Sequence, residues 1–360
     1  MRIFVVLTII LIWVFSLVNE SGLGMKLHTG EKMNWLIFIW AVYLFFIRGR
    51  RFIPKMSKAS FMGFFLFFIL IAYVVSGRWD GATYLISFLT VFCFSNIDLS
   101  AKELSVSAFA IGLLGLGLIT IYTRTQILSG WNDNSIAMLT LFSFIYFSIF
   151  FNSSQQRWIR SACWIMAFAY ISQIAGTDSR GSLLFMLLSI VMMFARETTY
   201  RFISSSTIRA LIVYFPIIIA IVVVWITSQD WFVELDNCTK INFGNPNGRD
   251  ELWADGFKDI INYPFGRGKF VINYHNSAVG CIGVFGIVGY VLWCNFFKRQ
   301  LSALTEYLED YTVYACMCAF ILIYLQQSVE LGFINRMPNM IPYMILGLGL
   351  GKVRMYESSL

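Results

Sequence analysis

The sequence predicts an all-α polytopic membrane protein of about twelve transmembrane helices, on three observations. Apolar runs of about 14–20 residues recur along the 360-residue chain, and a ~30 Å hydrocarbon core needs roughly 20 helical residues. Charged residues make up 13% of the chain, against about 25% in a soluble domain. The residues are 58% hydrophobic and 18% aromatic, with a mean hydropathy of +0.70. Helices are the default for such runs, because an open sheet would strand backbone groups in lipid. An outer-membrane barrel needs short alternating segments, which the sequence lacks. The net charge of +7 is no sign of nucleic acid as a partner, because the basic residues sit between apolar runs, where membrane topology puts them.

The spans fall at roughly 3–18, 34–47, 60–76, 81–95, 104–122, 134–151, 158–175, 181–195, 208–227, 277–297, 312–330 and 338–351. The first, "RIFVVLTIILIWVFSLV", resembles a signal peptide, but no small-x-small site follows it, so it reads as a retained span. The second and third are separated by "RGRRFIPKMSK", the densest basic stretch of the chain. The fourth is short, and polar "SNIDLSAKE" parts it from the fifth. "TRTQILSGWNDN" precedes the sixth, "SSQQR" the seventh and "GTDSR" the eighth. "RETTYRFISSSTIR" leads into the ninth. A long connection, 228–276, precedes the tenth, and short polar connections set off the last two. With no linker, repeat or low-complexity tract, residues 1–360 form a single integral membrane domain. The seven cysteines show no metal spacing and lie mostly in spans, as small apolar residues. Cys238 alone lies in the long loop, and a bridge to Cys281 on an oxidising face is the minority expectation.

Orientation follows from the basic residues. With the N-terminus in the cytoplasm, the inner segments carry 16 Lys and Arg and the short outer loops 6. The positive-inside rule therefore places both termini in the cytoplasm. The 228–276 loop then lies outside, with five basic and seven acidic residues. A long loop amid short connections is usually functional.

Within it, "NPNG" is a turn cluster, and "RDELWADGFKDII" (about 249–261) reads as a short amphipathic helix. Leu252, Trp253, Phe257, Ile260 and Ile261 fall on one face, and Asp250, Glu251, Asp255 and Lys258 on the other. Such a helix lies flat on the bilayer, with Trp253 at headgroup level. Arg249 at its first position opposes the helix dipole, a cost a bound anion would reverse. The bland alternative is a surface pair with Asp250 or Glu251. In "PFGRGKFVINYHNS", Gly266 and Gly268 loosen the backbone around Arg267 and Lys269. Asn276 and Ser277 are cap residues for the tenth span. His275, one of two histidines in the chain, stands at that helix N-terminus, where the dipole favours a neutral imidazole available as a base. The bland alternative is a locally packed interfacial histidine.

Other polar groups share that side. Arg180, two residues after Asp178, opens the eighth span, and Arg124 and Asn134 stand at the outer ends of the fifth and sixth. Snorkelling is the bland account of each arginine. Gln326, Gln327 and Glu330 lie at the outer end of the eleventh span, where polar groups face the bundle interior. Arginines from several outer loops and one histidine at one membrane level suit a lipid-linked phosphate or pyrophosphate, since arginine stays charged and binds bidentately.

The segments "TR…WNDNSIA", "DSRGSLLFMLL" and "GRDELWADGFKDIINYPFGRGKF…YHNSAVGCIGVFGIVGYVLW" together resemble the O-antigen polymerase (Wzy-type) and O-antigen ligase superfamily of bacterial membrane glycosyltransferases. The resemblance covers residues 124–293. It implies a GT-C-like, inverting, metal-independent transferase of the inner membrane, with no cofactor and a periplasmic site. Its partners would be an undecaprenyl-pyrophosphate-linked oligosaccharide, membrane lipid and a chain-length regulator. Carried over by position, His275 would deprotonate the attacking sugar hydroxyl, and Arg180 and Arg249 would neutralise the departing pyrophosphate. Arg124, Asn134, Arg267, Lys269, Asn276 and Glu330 would bind substrate. A loop of about 49 residues is short for a ligase, which favours the polymerase. A transporter predicts paired broken helices near mid-membrane and internal symmetry, and the sequence shows neither. A purely structural scaffold gives no reason for Arg249 and His275 in a long outer loop.

Overall fold

A computed structural model of the chain describes residues 2–20, 30–48, 81–97, 99–125, 133–153, 157–177, 179–231, 248–268, 273–330 and 339–357. Every regular element among them is helical: α1 (Arg2–Glu20), α2 (Gly30–Arg48), α3 (Gly81–Phe94), α4 (Ala101–Thr125), α5 (Asp133–Asn152), α6 (Arg157–Ala175), α7 (Arg180–Phe194), α8 (Arg196–Ser204), α9 (Ser206–Thr227), α10 (Arg249–Asn262), α11 (Ser277–Thr305), α12 (Tyr311–Gln326) and α13 (Ile341–Glu357). The predicted runs match these helices to within about four residues, except that α11 and α13 continue eight and six residues beyond the ends expected at 297 and 351, and the run at 60–76 lies outside the described residues. By length and composition, Ala101–Ile121 of α4, α9 and α11 can each cross a membrane. The α7–α8 pair, bent by 102°, makes a fourth if counted as one broken span. Shorter apolar stretches lie in α1, α2, α5, α6 and α12. This is the helical content of a membrane-embedded protein.

The packing sorts the apolar helices. α5 and α12 are apolar on all sides and buried on nearly all sides, as expected for helices inside a bundle. α12 packs on α5, α7, α9, α11 and α13, and α4 lies along α5. α9 is peripheral: its long apolar window is only 22% buried, against 72% for α11. Leu211, Ile218, Ile221 and Trp225 of α9 face outward. Polar groups inside are bonded locally or across helices. Thr140 and Ser143 hydroxyls donate to carbonyls one turn back, Tyr170 to Gly112 O and Tyr324 to Val213 O. Ser100 and Glu103 form a reciprocal capping box at the start of α4. The described cysteines are free and buried, while Cys238 lies outside the described residues.

Three local features depart from the sequence reading. α8 forms where a polar loop is expected; Thr199 and Ile203 are buried and Arg196 stacks over Tyr311 at 3.3 Å, which ties it to the start of α12. The eleventh run leaves helical geometry at Gln327, so Glu330 sits on a turn rather than in a helix. The tenth span is not continuous: α11 breaks at Gly286, whose φ is 69° and ψ −177°.

The Gly286 break has a partner. The turn at 263–268 docks against it by backbone groups alone. Arg267 N–H donates to Gly283 O (2.9 Å), Gly268 N–H to Val284 O (2.8 Å), and Ile287 N–H to Pro264 O (3.2 Å). Groups that a straight helix would pair internally are thus paired with the turn. The direction of α11 changes there. Ser277 bonds Gln327 O through its N–H at 3.0 Å and its hydroxyl at 2.8 Å, while Trp293 stacks on Tyr324 with centroids 5.5 Å apart. A straight helix would put Ser277 and Trp293 about 24 Å apart along its axis, yet both meet the last turn of α12. The stretch 277–285 is therefore set at a kink to the rest.

Candidate functional site

The stretch of α11 before the kink is capped by Asn276, which is fully buried. Its Oδ1 accepts from Ala278 N (2.9 Å) and Val279 N (3.0 Å), capping the helix as the sequence predicts. Its Nδ2 donates to Pro216 O (2.8 Å) on α9 and Ser328 O (2.7 Å) after α12. All four bonds of the amide are made, so Asn276 has nothing left for a substrate and acts instead as the pin joining three segments. Asn276→Ala is expected to destabilise by roughly 2.5–8 kcal/mol, since a lost cap costs ~0.5–2 and each of the two stranded carbonyls ~1–3. Asn276→Ser, which keeps a cap, should fall in between. Thermal unfolding in nanodiscs measures both, and an unchanged Tm for the alanine variant would overturn this account.

On the other side of His275, Tyr274 is equally fixed. It is buried, its carbonyl accepts from Trp253 Nε1 at 2.6 Å, and its hydroxyl donates to Asp259 Oδ2 at 2.7 Å. Burial, and then the bond to Asp259, push the Tyr274 phenol well above its ordinary range. Trp253 is 2% exposed, packed with Ala220, Tyr274 and Val279. This corrects the expectation of Trp253 at the headgroups. The apolar stripe of α10 is satisfied by α9 and α11 rather than by lipid, and only its far end, with Ile261, Tyr263 and Phe265, is exposed. Gly256 permits the close approach, since a Cβ there would stand 2.4 Å from Val279 Cγ1.

His275 thus sits between two anchored residues, with φ at 49°, the one positive value among the described non-glycine residues. Strain of this kind costs of order 1–3 kcal/mol and persists where the surroundings impose it. Its Nδ1 lies 3.5 Å from Glu330 Oε2, closed to solvent and without a hydrogen bond. The imidazole is 40% exposed, with Nε2 at its open side. Glu330 Oε1 in turn accepts from Arg249 Nη2 at 2.7 Å. Arg249 therefore pairs with neither Asp250 nor Glu251 but with a carboxylate 81 residues away. Arg249, His275 and Glu330, from three separate segments, form one cluster. Its partner Asn276 meets α9 at Pro216, about 16 Å along the axis before the helix ends at Thr227. The cluster is recessed along α9, not perched at its end.

The other predicted residues divide. Arg180 is exposed at the first position of α7, with no bonded partner among the described residues. A Cβ on the adjoining Gly181 would lie 3.5 Å from Val329 Cγ2, so α7 begins beside the turn that carries Glu330. Arg267 is committed elsewhere. It pairs with Asp259 and lies 4.6 Å over the Tyr263 ring, so it braces the turn instead of facing His275. Asn134 is half-buried in the first turn of α5. The side chain of Arg124 and the whole of Lys269 lie outside the described residues. Gln326 and Gln327 are buried, as predicted for polar groups facing inward. The sequence reading missed Tyr274 and Asp259, whose bond spans the loop. A lone aromatic and a surface-type acid give no signal of meeting.

Neither the protein-family models nor the curated proteins contain a match to this chain.

Proposed function

We propose that the chain is an inverting glycosyltransferase of the bacterial inner membrane, with about twelve spans in a GT-C-like arrangement and both termini cytoplasmic. It transfers an undecaprenyl-pyrophosphate-linked glycan to the terminal sugar hydroxyl of a lipid-linked repeat, as an O-antigen polymerase. One observation carries the reading: Arg249, Glu330 and His275 converge, with Nε2 of the imidazole left open. The anionic character of the substrate rests on two helix starts. α7 and α10 each begin with an arginine and have no side-chain cap, a combination of free N–H groups and guanidinium suited to phosphate oxygens.

In the reaction, the acceptor hydroxyl gives its proton to His275 Nε2 as its oxygen bonds the anomeric carbon. The bond from that carbon to the pyrophosphate oxygen breaks, and the electron pair leaves with the pyrophosphate. Arg249 and Arg180 offset the charge that develops there. Displacement in one step inverts the anomeric centre, and no metal is assigned a role. The recessed level of the cluster, about halfway along α9, suits a substrate whose pyrophosphate enters a cavity below the membrane surface while its lipid stays alongside in the bilayer.

A ligase, passing the same donor to lipid A–core, shares this chemistry and stays the second reading. The broken α11 raises the transporter again, since broken helices carry transporter sites. There, however, freed carbonyls face ions or substrate, whereas here Gly283 O and Val284 O are taken by the 263–268 turn. The test is a deletion strain examined by lipopolysaccharide gel. A lost polymerase leaves core with one repeat, a lost ligase leaves bare core, and an unchanged ladder rejects both.

A further inference from the structure

The geometry points to Glu330 as a positioning residue that holds His275 in the tautomer protonated at Nδ1, which leaves the Nε2 lone pair for a hydroxyl-bearing acceptor. This rests on the reading of His275 as the base of a glycosyl transfer.

The carboxylate is itself held. Oε1 takes the Arg249 bond, so Oε2 has little choice but to face the ring at 3.5 Å. Nδ1 is shut from water and has no other partner. A lone pair on Nδ1 would meet the lone pairs of a carboxylate, which only accepts; a proton there meets an acceptor. The local field therefore selects the Nδ1–H form and sets the lone pair on Nε2. The backbone that carries the ring is held in place, because Tyr274 and Asn276 on either side are buried and bonded, and it is left-handed at His275. The 3.5 Å spacing is longer than a made hydrogen bond, as is common before substrate arrives. When Nε2 takes the hydroxyl proton, the imidazolium gains its full attraction to the Glu330 carboxylate. Glu330 thus acts through His275 and Arg249, not by touching the sugar as the sequence reading assigns it.

The chain has two histidines, so full-length His28→Gln protein in lipid carries a single imidazole. Solid-state ¹⁵N NMR of that protein, at a pH where the ring is neutral, should find the proton on Nδ1. In Glu330→Gln the proton should redistribute toward Nε2, and in Glu330→Asp it should stay largely on Nδ1. In the deletion strain, Glu330→Gln should lose the O-antigen ladder while accumulating normally. Should the glutamine variant fail to accumulate, the parent and the aspartate variant still decide the matter by their tautomers. A parent protonated on Nε2, or a tautomer indifferent to Glu330→Gln, would overturn the proposal even if the protein makes polymer. The expected tautomers in a protein that makes no polymer would leave Glu330's role standing and remove the glycosyl-transfer reading.

Discussion

His275→Ala is expected to lower the transfer rate by about 10²- to 10⁴-fold, the usual contribution of a positioned general base, and to leave core bearing a single repeat on the gel. Arg249→Ala should cost about 2.7–4 kcal/mol in the barrier, as for loss of one charge-stabilising donor. The two differ in what else they disturb. His275 is half-exposed and bonds little, and alanine keeps a Cβ at its left-handed backbone position, so the substitution removes the ring without freeing the backbone, and the variant should accumulate nearly as well as the parent. Removing Arg249 leaves Glu330, only 14% exposed, without its ion-pair partner, which destabilises in its own right. Arg249→Lys separates the effects. It keeps the charge for Glu330 but not the planar fork that phosphate engages, so it should accumulate normally and still lose most activity. Because the side chains share one carboxylate, the double variant should lose less than the two single losses combined. Complementation of the deletion strain, with protein level measured by immunoblot, reads all four. Full complementation by both alanine variants would remove the assigned roles.

Gly286→Ala should abolish folding into this arrangement. The residue sits at φ 69° and ψ −177°, a region essentially confined to glycine and costing other residues ~1–3 kcal/mol. A Cβ there would also stand 2.2 Å from Pro264 O and 2.5 Å from Phe265 C. These are backbone atoms of a docked turn, unable to swing aside. Gly266 is the mirror case, its Cβ 2.4 Å from Val284 O. With alanine at 286, the lower-energy course is for α11 to run straight, which pulls Asn276 and His275 away from Glu330 and strands the turn. Loss of monodisperse protein after extraction, together with loss of activity, is the expected outcome. Gly117→Ala is the matched control. It lies mid-helix in α4 with nothing within 4 Å of its Cβ, and should be neutral or stabilising by up to ~1 kcal/mol. Equal behaviour of the two variants would show that the interlock is not needed.

The helices were legible because apolar run length is a physical requirement of crossing lipid, and polar punctuation marks where the chain leaves it. The Asn276 cap and the start of α10 at Arg249 were legible for the same local reasons. The α11 break was not. "VGCIGVFGIVGY" scatters four glycines, and only the docking of a turn more than fifteen residues away selects Gly286 for the break. Trp253 was misplaced because a hydrophobic stripe reads alike whether it meets lipid or another helix. Arg267 drew attention for its charge, yet Asp259, eight residues earlier, already claims it. The convergence of Arg249, Glu330 and His275 required a count of which groups share an outer side, which the sequence supports, and a bonding partner 81 residues distant, which it does not specify.

The sealed cysteines have a practical consequence. Thiol alkylation needs an exposed, ionisable sulfur, and all six described ones are packed within the bundle. A bulky, water-soluble maleimide should find none of them to modify. With Cys238 replaced, the chain becomes a blank background, on which one cysteine introduced in any connecting segment would report, from outside intact cells, the side on which that segment emerges.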